Sequence, residues 1–409
     1  MTAALVALNA RTFASLRKHR NYRLFFSGQI VSLAGTWMQN IALAWYVVEL
    51  TDSAVAVGFL AFCRFAPFTL FGLVAGVVAD RFDNRRLVIV TQSGQMAVSI
   101  ALAALALSGS EQVAAVYALA LLGGVGLVFD APGRHALTFQ MVGREELPNA
   151  VALNASLFNL SRVIGPGIAG ALIAAAGVGV CFVVNSVSFL AVLAGLLLMR
   201  KEELFPLERG EPPTMLRGIR EGLAYARRAP EVRIVLLMVA VISTVGFNFH
   251  VILPLLASER LHSGPEVFGL LSACFGAGAL AGALMAAALA RASWKALLAG
   301  TIGFSLSLLA LAPVSSAPVA AGLLVVAGAC FTLWTANSNT ILQLSAPDHL
   351  RGRVVSLFLF AFAGLAPLGG LLAGWLVEVG GTPLAFAIAG TVGLAMTTRA
   401  LFYAPFTRA

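Results

Sequence analysis

The sequence predicts an all-helical integral membrane protein in which twelve transmembrane helices form two parallel six-helix repeats. The scarcity of charge, the recurrence of long apolar runs and a weak internal repeat lead to this fold class. Hydrophobic residues make up 59% of the 409 residues and charged residues only 11%. An average soluble chain carries roughly 25% charged residues. A chain with so few charges cannot cover a water-facing surface, so a soluble protein is excluded.

Apolar runs of about 20 residues, the length that a transmembrane helix needs, recur along the chain. They predict an N-terminal half (residues 1–199), a cytoplasmic linker (200–232) and a C-terminal half (233–409). The predicted spans are residues 23–49, 54–78, 87–108, 113–130, 150–174, 180–199, 233–257, 266–289, 295–313, 317–341, 354–376 and 382–403.

The formal net charge of +9 would suit a nucleic-acid-binding protein, but the basic residues are spread over short breaks between the spans. Such breaks are typical of cytoplasmic loops. The opposite loops contain one base among Glu49, Asp52, Glu111, Glu259, Arg260, Glu266 and Glu378. We therefore expect both termini in the cytoplasm, membrane lipid around the spans and no nucleic-acid partner. Arginine far outnumbers lysine, which suggests a GC-rich bacterial genome and the bacterial inner membrane.

The linker contains a basic stretch, residues 216–228, with a predicted apolar stripe along one helix face. The stripe consists of Leu216, Ile219, Leu223 and Tyr225. Either this amphipathic helix lies on the anionic inner leaflet or it is a solvated linker helix. The sequence leaves both alternatives open.

An internal repeat supports two similar halves. The positions that recur are Gln140 and Leu147 with Gln343 and Leu350, and further on Gly165-Pro166 with Ala366-Pro367. Parallel repeats related by an axis along the membrane normal are one known way to build a transporter.

The loop after the second span carries Gly76, Asp80 and the basic residues Arg81, Arg85 and Arg86. This spacing resembles the signature loop of the major facilitator superfamily, which in that family stabilises the outward-open state. We expect Gly76 to permit a close helix approach, Asp80 to accept hydrogen bonds from a facing helix N-terminus, and the bases to anchor the loop. The alternative is a plain basic cytoplasmic loop.

One position departs from that family pattern. Asp83 stands where the family usually has glycine, so we expect the turn to be made at Asn84.

The fifth span contains Gly165, Pro166 and Gly170, which resemble the exporter-associated motif of the same superfamily. Small residues allow close packing, and proline permits a kink. Matching small residues are Gly278 and Gly282 in the eighth span, and Gly370 and Gly374 in the eleventh. We expect them to be sliding surfaces between the halves; the alternative is ordinary helix packing.

Nearly the whole chain resembles the branch of the superfamily that includes enterobactin exporters and macrolide-efflux-like proteins. The stretches that carry this likeness are residues 28–29, 35–39, 130–134, 147–154 and 350–354. The resemblance implies export of a small molecule by alternating access.

Two arginines, Arg64 and Arg162, fall near the middle of their spans, where no carboxylate lies at comparable depth. Ionisable groups at such depth are costly and indicate function. A positive central cavity would favour anionic or oxygen-rich substrates. Alternatively, backbone carbonyls and neighbours such as Gln39 or Asn159 satisfy both arginines.

Other polar residues predicted to line the cavity lie on the spans that line it in the superfamily, with Asn159 on the fifth span. They are Trp37, Gln39, Asn40, Asn159, Asn248, His250, Trp334, Asn337 and Asn339. For proton coupling the candidates are Asp130, His250 and Glu49. Asp130 alternatively pairs with Arg134 or with the Arg81 loop as an inner gate.

These observations predict a secondary exporter of siderophore-like, drug-like or other organic solutes, with an anionic bias and proton antiport. The alternatives of the same fold are a facilitator that imports a solute and a lipid or lysolipid flippase. The sequence contains no GxxxxGK[ST] motif and no histidine cluster, so we expect no ATP site, no metal, no cofactor and no enzyme activity. The proton gradient is the expected energy source and a monomer the expected state.

Overall fold

The computed structural model describes residues 12–207, 215–289 and 292–402. Helices make up nearly all of these ranges, and no strand occurs within them. Helices satisfy every backbone hydrogen bond within one segment, which is what a lipid environment demands. The predicted all-helical class is confirmed.

The helices follow one another with short connections. Before the linker they are α1 (Ala14–Lys18), α2 (Arg20–Thr51), α3 (Ala54–Arg81), α4 (Asn84–Leu107), α5 (Val113–Ala176) and α6 (Val178–Leu197). After a 3-10 turn, Lys201–Glu203, they are α7 (Met215–Arg228), α8 (Pro230–Gly246), α9 (Phe249–Leu255), α10 (Pro265–Ala288), α11 (Trp294–Leu311), α12 (Ala317–Ser345), α13 (Asp348–Leu359) and α14 (Ala366–Leu401). Two π-helical segments, Leu256–Arg260 and Phe360–Gly364, follow α9 and α13.

Among the described residues, nine helical segments are long and apolar enough to cross a membrane. Two of them, Val113–Ala176 and Leu350–Leu401, are 64 and 52 residues long. Each is interrupted by a glycine with φ of 68°, Gly143 in α5 and Gly381 in α14. Glycine adopts this left-handed conformation without the Cβ clash of other residues. Each long segment therefore consists of two helices that meet at its glycine.

By their contacts, the residues form two compact units. Unit 1 consists of residues up to 42 with 70–211, and unit 2 consists of 43–69 with the residues from 212 onward. The division falls inside α2 and again inside α3, so the segment 43–69 groups with the second unit. The predicted domain boundaries at residues 199 and 233 stay a prediction.

The core of unit 1 packs α2 against α6 and α5 through small residues. A Cβ at Gly28 would lie 2.7 Å from the Ala191 carbonyl oxygen, and one at Gly195 would lie 2.7 Å from that of Leu24. Tyr22 is fully buried there and donates to the Ala150 carbonyl at 3.0 Å. Small residues replace the hydrophobic driving force that is absent between helices in lipid.

In unit 2, glycines likewise allow α10 to pack closely against α12. A Cβ at Gly278 would collide with the Val325 carbonyl oxygen, and one at Gly282 would collide with that of Ala329. The expectation that these two glycines form a sliding surface between the halves is wrong, because both pack inside unit 2. Gly165 likewise packs within unit 1, where its Cβ would lie 2.8 Å from the Ala34 carbonyl oxygen of α2.

The signature loop turns without a left-handed residue. Asp83 caps α4 by accepting a hydrogen bond from the Arg86 amide at 2.8 Å, and Asn84 is already the first helical residue. The expectation of a turn at Asn84 is therefore wrong. Arg85 donates to the Leu196 and Leu197 carbonyls at 2.7 and 3.0 Å, a cation at the C-terminus of α6.

The other expected contacts of this loop are absent from this arrangement. A Cβ at Gly76 would meet no atom within 4 Å. Asp80 and Arg81 are exposed, and neither has a hydrogen-bond or ion-pair partner among the described residues.

The linker helix α7 is docked on α13 of its own unit, which neither predicted alternative described. Tyr225 donates to the Ser345 carbonyl at 2.6 Å, and Glu221 forms an ion pair with Arg353. A Cβ at Gly222 would lie 3.3 Å from the Cβ of Arg353. The side chains of Leu216 and Ile219 lie outside the described residues, as do residues 208–214 of the linker.

Candidate functional site

A cavity of about 410 Å³ lies within unit 1, between α2, α4, α5 and α6. Apolar side chains such as Phe25, Leu33 and Phe158 form much of its wall. Its polar residues are Gln29, Ser32, Thr36, Gln92, Gln95, Asp130, Arg134, His135, Thr138, Asn154 and Asn159. A mostly apolar wall with a few convergent polar groups is typical of small-molecule sites.

Asp130 is the centre of the polar network of this cavity. It is 1% exposed and accepts hydrogen bonds from Thr91 Oγ1 at 2.8 Å and Gln92 Nε2 at 2.9 Å. Arg134, one helical turn later, donates Nε to the other carboxylate oxygen at 2.9 Å. The guanidinium of Arg134 is positively charged, so its bond to the carboxylate is a charge-assisted hydrogen bond. The predicted alternative of an Asp130–Arg134 pair thus describes the geometry.

Two glutamines beside this network keep unused polar atoms. Gln29 accepts a hydrogen bond from Arg134 through Oε1, while its buried Nε2 has no partner among the described residues. Gln92 donates to Asp130, while its buried Oε1 likewise has no partner there. Buried polar atoms without partners are costly. Both side chains line the cavity, although these two atoms are themselves shielded from solvent in this arrangement.

Two predicted cavity residues lie one layer behind the wall. The Trp37 ring meets the Phe158 ring edge-on at 5.5 Å, and Phe158 lines the cavity. The Arg162 guanidinium carbon lies 5.8 Å from the Trp37 ring centroid. Asn159 itself lines the cavity and donates to the Ala155 carbonyl at 2.9 Å.

Gln39 and Asn40 are half-buried on α2 and are not among the residues that line the cavity. Gln39 Oε1 accepts hydrogen bonds from Asn185 and Ser99, each at 2.7 Å, and so joins α2 to α6 and α4. The buried Oδ1 of Asn40 has no partner in the described ranges.

In unit 2, Arg64 and His250 flank one phenylalanine ring. The Arg64 guanidinium carbon lies 5.9 Å from the Phe65 centroid, and the His250 ring meets the same ring edge-on at 5.2 Å. His250 Nε2 is buried and has no partner among the described residues. The geometry places two basic side chains together inside the apolar unit.

The remaining predicted cavity residues of unit 2 make local contacts. Asn248, at the break between α8 and α9, donates to the Thr244 carbonyl at 2.7 Å. Asn337 accepts from the Ser293 amide at 3.0 Å, next to the start of α11, and Asn339 accepts from Gln343 at 3.0 Å. Trp334 is fully buried, stacked at 6.3 Å on Phe304.

The third coupling candidate, Glu49, lies near the end of α2 that belongs to unit 2. Its carboxylate accepts a hydrogen bond from Trp45 Nε1 at 2.7 Å, and Trp45 stacks on Phe268 of α10.

Sequence reasoning missed much of the polar cavity wall. Gln92 and Gln95 on α4, and His135 and Asn154 on α5, line the cavity but were not among the predicted residues. The available signal was the presence of glutamines within the apolar third span. The rest of the wall comes from α2, α5 and α6, and the sequence does not specify which faces of these helices meet.

The family match and the similar known proteins agree with one another. Residues 10–407 match the family of transmembrane secretion effectors within the major facilitator superfamily. The staphyloferrin A transporter of Staphylococcus aureus is 25% identical over 92% of this chain and 94% of that protein. The multidrug efflux pump Tap of Mycolicibacterium fortuitum is 26% identical, covering 86% and 88%. The macrolide efflux protein A of Streptococcus pyogenes is 22% identical, covering 92% and 95%.

Solved structures show the same fold at low identity. A POT family transporter in complex with a thioalcohol conjugated peptide matches with a TM-score of 0.77 and 13% identity, covering 94% of this chain and 96% of that one. A bacterial homologue of the iron transporter ferroportin in an inward-facing state matches with a TM-score of 0.69 and 16% identity, covering 92% and 98%. At these identities the likeness concerns the fold.

Proposed function

Since this chain belongs to the transmembrane secretion effector family of the major facilitator superfamily, we propose that it exports small organic molecules by alternating access in exchange for protons. The family and the named relatives are transporters and not enzymes, and their branch includes siderophore and drug efflux. The proposed substrates are siderophore-like, drug-like or other organic solutes, with a bias toward anions. The bias rests on Arg64 and Arg162, which have no carboxylate at comparable depth in their spans.

The observation that carries the exchange of protons is the buried Asp130 network in the unit 1 cavity. With Asp130 ionised, Thr91, Gln92 and Arg134 all donate to it. A proton on Asp130 would occupy an oxygen that these donors use and would leave Arg134 without its counter-charge. The two protonation states therefore favour different positions of Arg134.

This dependence couples a proton to the substrate. A substrate that binds the arrangement with ionised Asp130 must leave before a proton is taken up, and the reverse holds as well. Such mutual exclusion at one site produces antiport. The side chains of Gln29 and Gln92 line the same cavity and are the proposed polar contacts of the substrate.

The proposed topology has twelve spans in two parallel repeats. Nine helical segments are membrane-spanning candidates. If the two long segments are each divided, at Gly143 and at Gly381, the number rises to eleven, and α2 is the twelfth span. We place both termini in the cytoplasm of a bacterial cell, on the inner-membrane face where most arginines lie. The protein is proposed to act as a monomer, with no cofactor and with the proton gradient as its energy source.

Everted membrane vesicles that contain the full-length protein test this function. Catecholate siderophores and other anions are compared with cationic and macrolide drugs, with and without an inside-acid pH gradient. We expect gradient-dependent accumulation of at least one organic solute. Asp130→Asn should abolish the gradient-dependent part while exchange of labelled for unlabelled substrate continues, because exchange needs no net proton movement.

Glu203→Gln is the matched control, since Glu203 is an exposed carboxylate that pairs with Arg200 in the linker. This variant should accumulate substrate like the wild type. Gradient-driven accumulation that persists in Asp130→Asn would exclude Asp130 as the coupling group. Accumulation that needs no gradient in the wild type would support a facilitator instead.

A further inference from the structure

Arg64 faces the protein interior from the middle of α3. Val57, Leu60 and Ala61 precede it by seven, four and three residues, share its helix face, and are all at most 5% exposed. An arginine that faces lipid is very costly, so this face is the one expected for a membrane arginine. Within the described residues, Arg64 has no hydrogen-bond acceptor or carboxylate partner. Its charge is therefore not neutralised by any of the described residues.

His250 presents a second unused donor to the same place. It is the one residue of α9 that is not fully buried, while the other six are. Its Nε2 is nevertheless inaccessible and unpartnered among the described residues. The Phe65 ring centroid lies 5.9 Å from the Arg64 guanidinium carbon and 5.2 Å from the His250 ring centroid, so this ring lies against both side chains. The two side chains form one basic pair around a phenylalanine.

Aromatic rings lie on elements that contact α3 and α9, which carry this basic pair. Phe247, at the break before α9, stacks on Phe331 at 4.3 Å and contacts Phe362 of the second π-helical segment at 5.6 Å. Thr69 of α3 donates to the Gly364 carbonyl of that segment at 2.7 Å. The basic pair thus belongs to a group of elements rich in flat apolar surfaces.

We propose that Arg64 and His250 together bind the carboxylate of a planar organic anion, an inference that rests on the proposed export function. A guanidinium donates two parallel hydrogen bonds to a carboxylate, and an imidazole N–H adds a third. A flat apolar body then packs on the neighbouring phenylalanine rings. The proposed subsite consists of residues of unit 2, whereas Arg162 belongs to unit 1, where it lies beside Trp37.

Binding of benzoate and its uncharged isostere benzamide to the purified full-length protein in nanodiscs tests the subsite. The wild type should prefer benzoate. Arg64→Gln and His250→Gln should each weaken benzoate binding by about tenfold, as expected for a lost hydrogen bond to a charged group. Benzamide binding should stay within about twofold. Arg64→Lys, which keeps the charge but not the two-pronged geometry, should retain part of the benzoate affinity.

Arg233→Gln is the control, because Arg233 is an exposed arginine at the start of α8 in the same unit. It should bind benzoate like the wild type. Equal affinity of the wild type for benzoate and benzamide would overturn the subsite, as would unchanged benzoate binding in a folded Arg64→Gln variant.

The outcome is separable from that of the export function. Gradient-driven transport without benzoate selectivity overturns the carboxylate subsite and leaves proton-coupled export standing. Benzoate selectivity that depends on Arg64 and His250 supports the subsite. If the same wild type accumulates no substrate when a proton gradient is applied, proton coupling is overturned while the subsite stands.

Discussion

The carboxylate of Glu378 in α14 accepts a hydrogen bond from the main-chain amide of Ala54, the first residue of α3, at 3.1 Å. The Val55 amide donates to the same oxygen at 3.3 Å. A carboxylate at a helix N-terminus satisfies unpaired amides and complements the helix dipole. Glu378 therefore acts as a cap supplied by a helix more than three hundred residues away in the chain.

Loss of this cap should lower stability. We expect Glu378→Ala to destabilise the protein by about 1 kcal/mol, as for other lost N-terminal caps, and Glu378→Gln to do so by less. Thermal unfolding of the detergent-purified protein measures the effect. Glu202→Ala, which removes an exposed carboxylate in the 3-10 turn before the linker helix, should leave the midpoint unchanged. A similar loss in both variants would assign the effect to net charge rather than to the cap.

One helical turn after this cap, Gly58 of α3 packs against α14 so closely that a side chain at Gly58 should not be tolerated. A Cβ at Gly58 would lie 2.7 Å from the Gly370 carbonyl oxygen and 3.1 Å from the Gly374 Cα. Both obstacles are backbone, so Gly58→Ala must push α3 from α14, at a cost of about 1–3 kcal/mol.

Gly72→Ala, on the same helix, is the matched control because its Cβ would meet nothing within 4 Å. Alanine should be neutral there or should stabilise the helix by up to about 1 kcal/mol. The midpoints of thermal unfolding of the two variants should thus move in opposite directions or differ clearly. Equal midpoints would contradict the close packing of α3 on α14.

Removal of Arg134 should be more harmful than removal of the whole ion pair. Arg134→Gln leaves the carboxylate of Asp130, which is 1% exposed, without its counter-charge. Breaking a buried pair in this way costs about 3–5 kcal/mol. The double variant Arg134→Gln with Asp130→Asn removes both charges and should recover much of that stability.

A double-mutant cycle on thermal stability checks this expectation. Additive losses in the cycle would mean that Asp130 and Arg134 do not interact energetically.

The short helix α1 should be held by Asn149 rather than by its surface ion pair. Asn149 Oδ1 accepts from the Ser15 amide at 3.1 Å and from the Ser15 hydroxyl at 2.7 Å, and Ser15 is fully buried. Lys18 also pairs with Glu146, but its side chain is 61% exposed. Exposed ion pairs contribute little. Asn149→Ala should therefore speed tryptic cleavage at Arg17 and Lys18, and Glu146→Gln should leave the rate near that of the wild type.

The pH dependence of that cleavage follows from Lys18. The hydrogen bond to Glu146 raises the pKa of Lys18 above its ordinary value of 10.5. Because the folded pKa is raised, any contribution of the pair is complete below the ordinary value and is lost only as the pH rises through the folded pKa. Protection of α1 should thus show no titration of Lys18 between neutral and mildly alkaline pH. A loss of protection within that range would contradict the intact pair.

Most elements of the fold could be predicted because apolar length alone reports a membrane helix. The predicted span 54–78 corresponds to α3, and 180–199 corresponds to α6. The predicted span 233–257 is less regular than expected. It is broken at Phe247 and Asn248 and continues into a π-helical segment. Gly246, the last residue of α8, and Asn248, the residue before α9, both favour helix ends, so local preference contributes to that break.

The candidate site was only partly predictable. Polar residues within apolar spans can be recognised in the sequence, but their hydrogen-bond partners on other helices cannot. Asp130 and Arg134 are one turn apart in sequence, and their pairing was among the predicted alternatives. Thr91 and Gln92, which complete the network, are 39 and 38 positions from Asp130. Their role depends on the rotation of α4 against α5, which small differences in side-chain packing decide.

By itself, the sequence determined the solvent of this protein and hence its secondary structure. Too few charges for water and long apolar runs leave helices as the available form. The family likeness is also a property of the sequence, because motifs are read along one chain. The tertiary structure decided which helix faces meet: Gly278 on Val325, Gly58 on Gly370, and Glu378 on Ala54. In lipid every apolar face is equally well solvated, so hydrophobic pattern cannot choose among neighbours, and close backbone approach and paired polar groups make the choice.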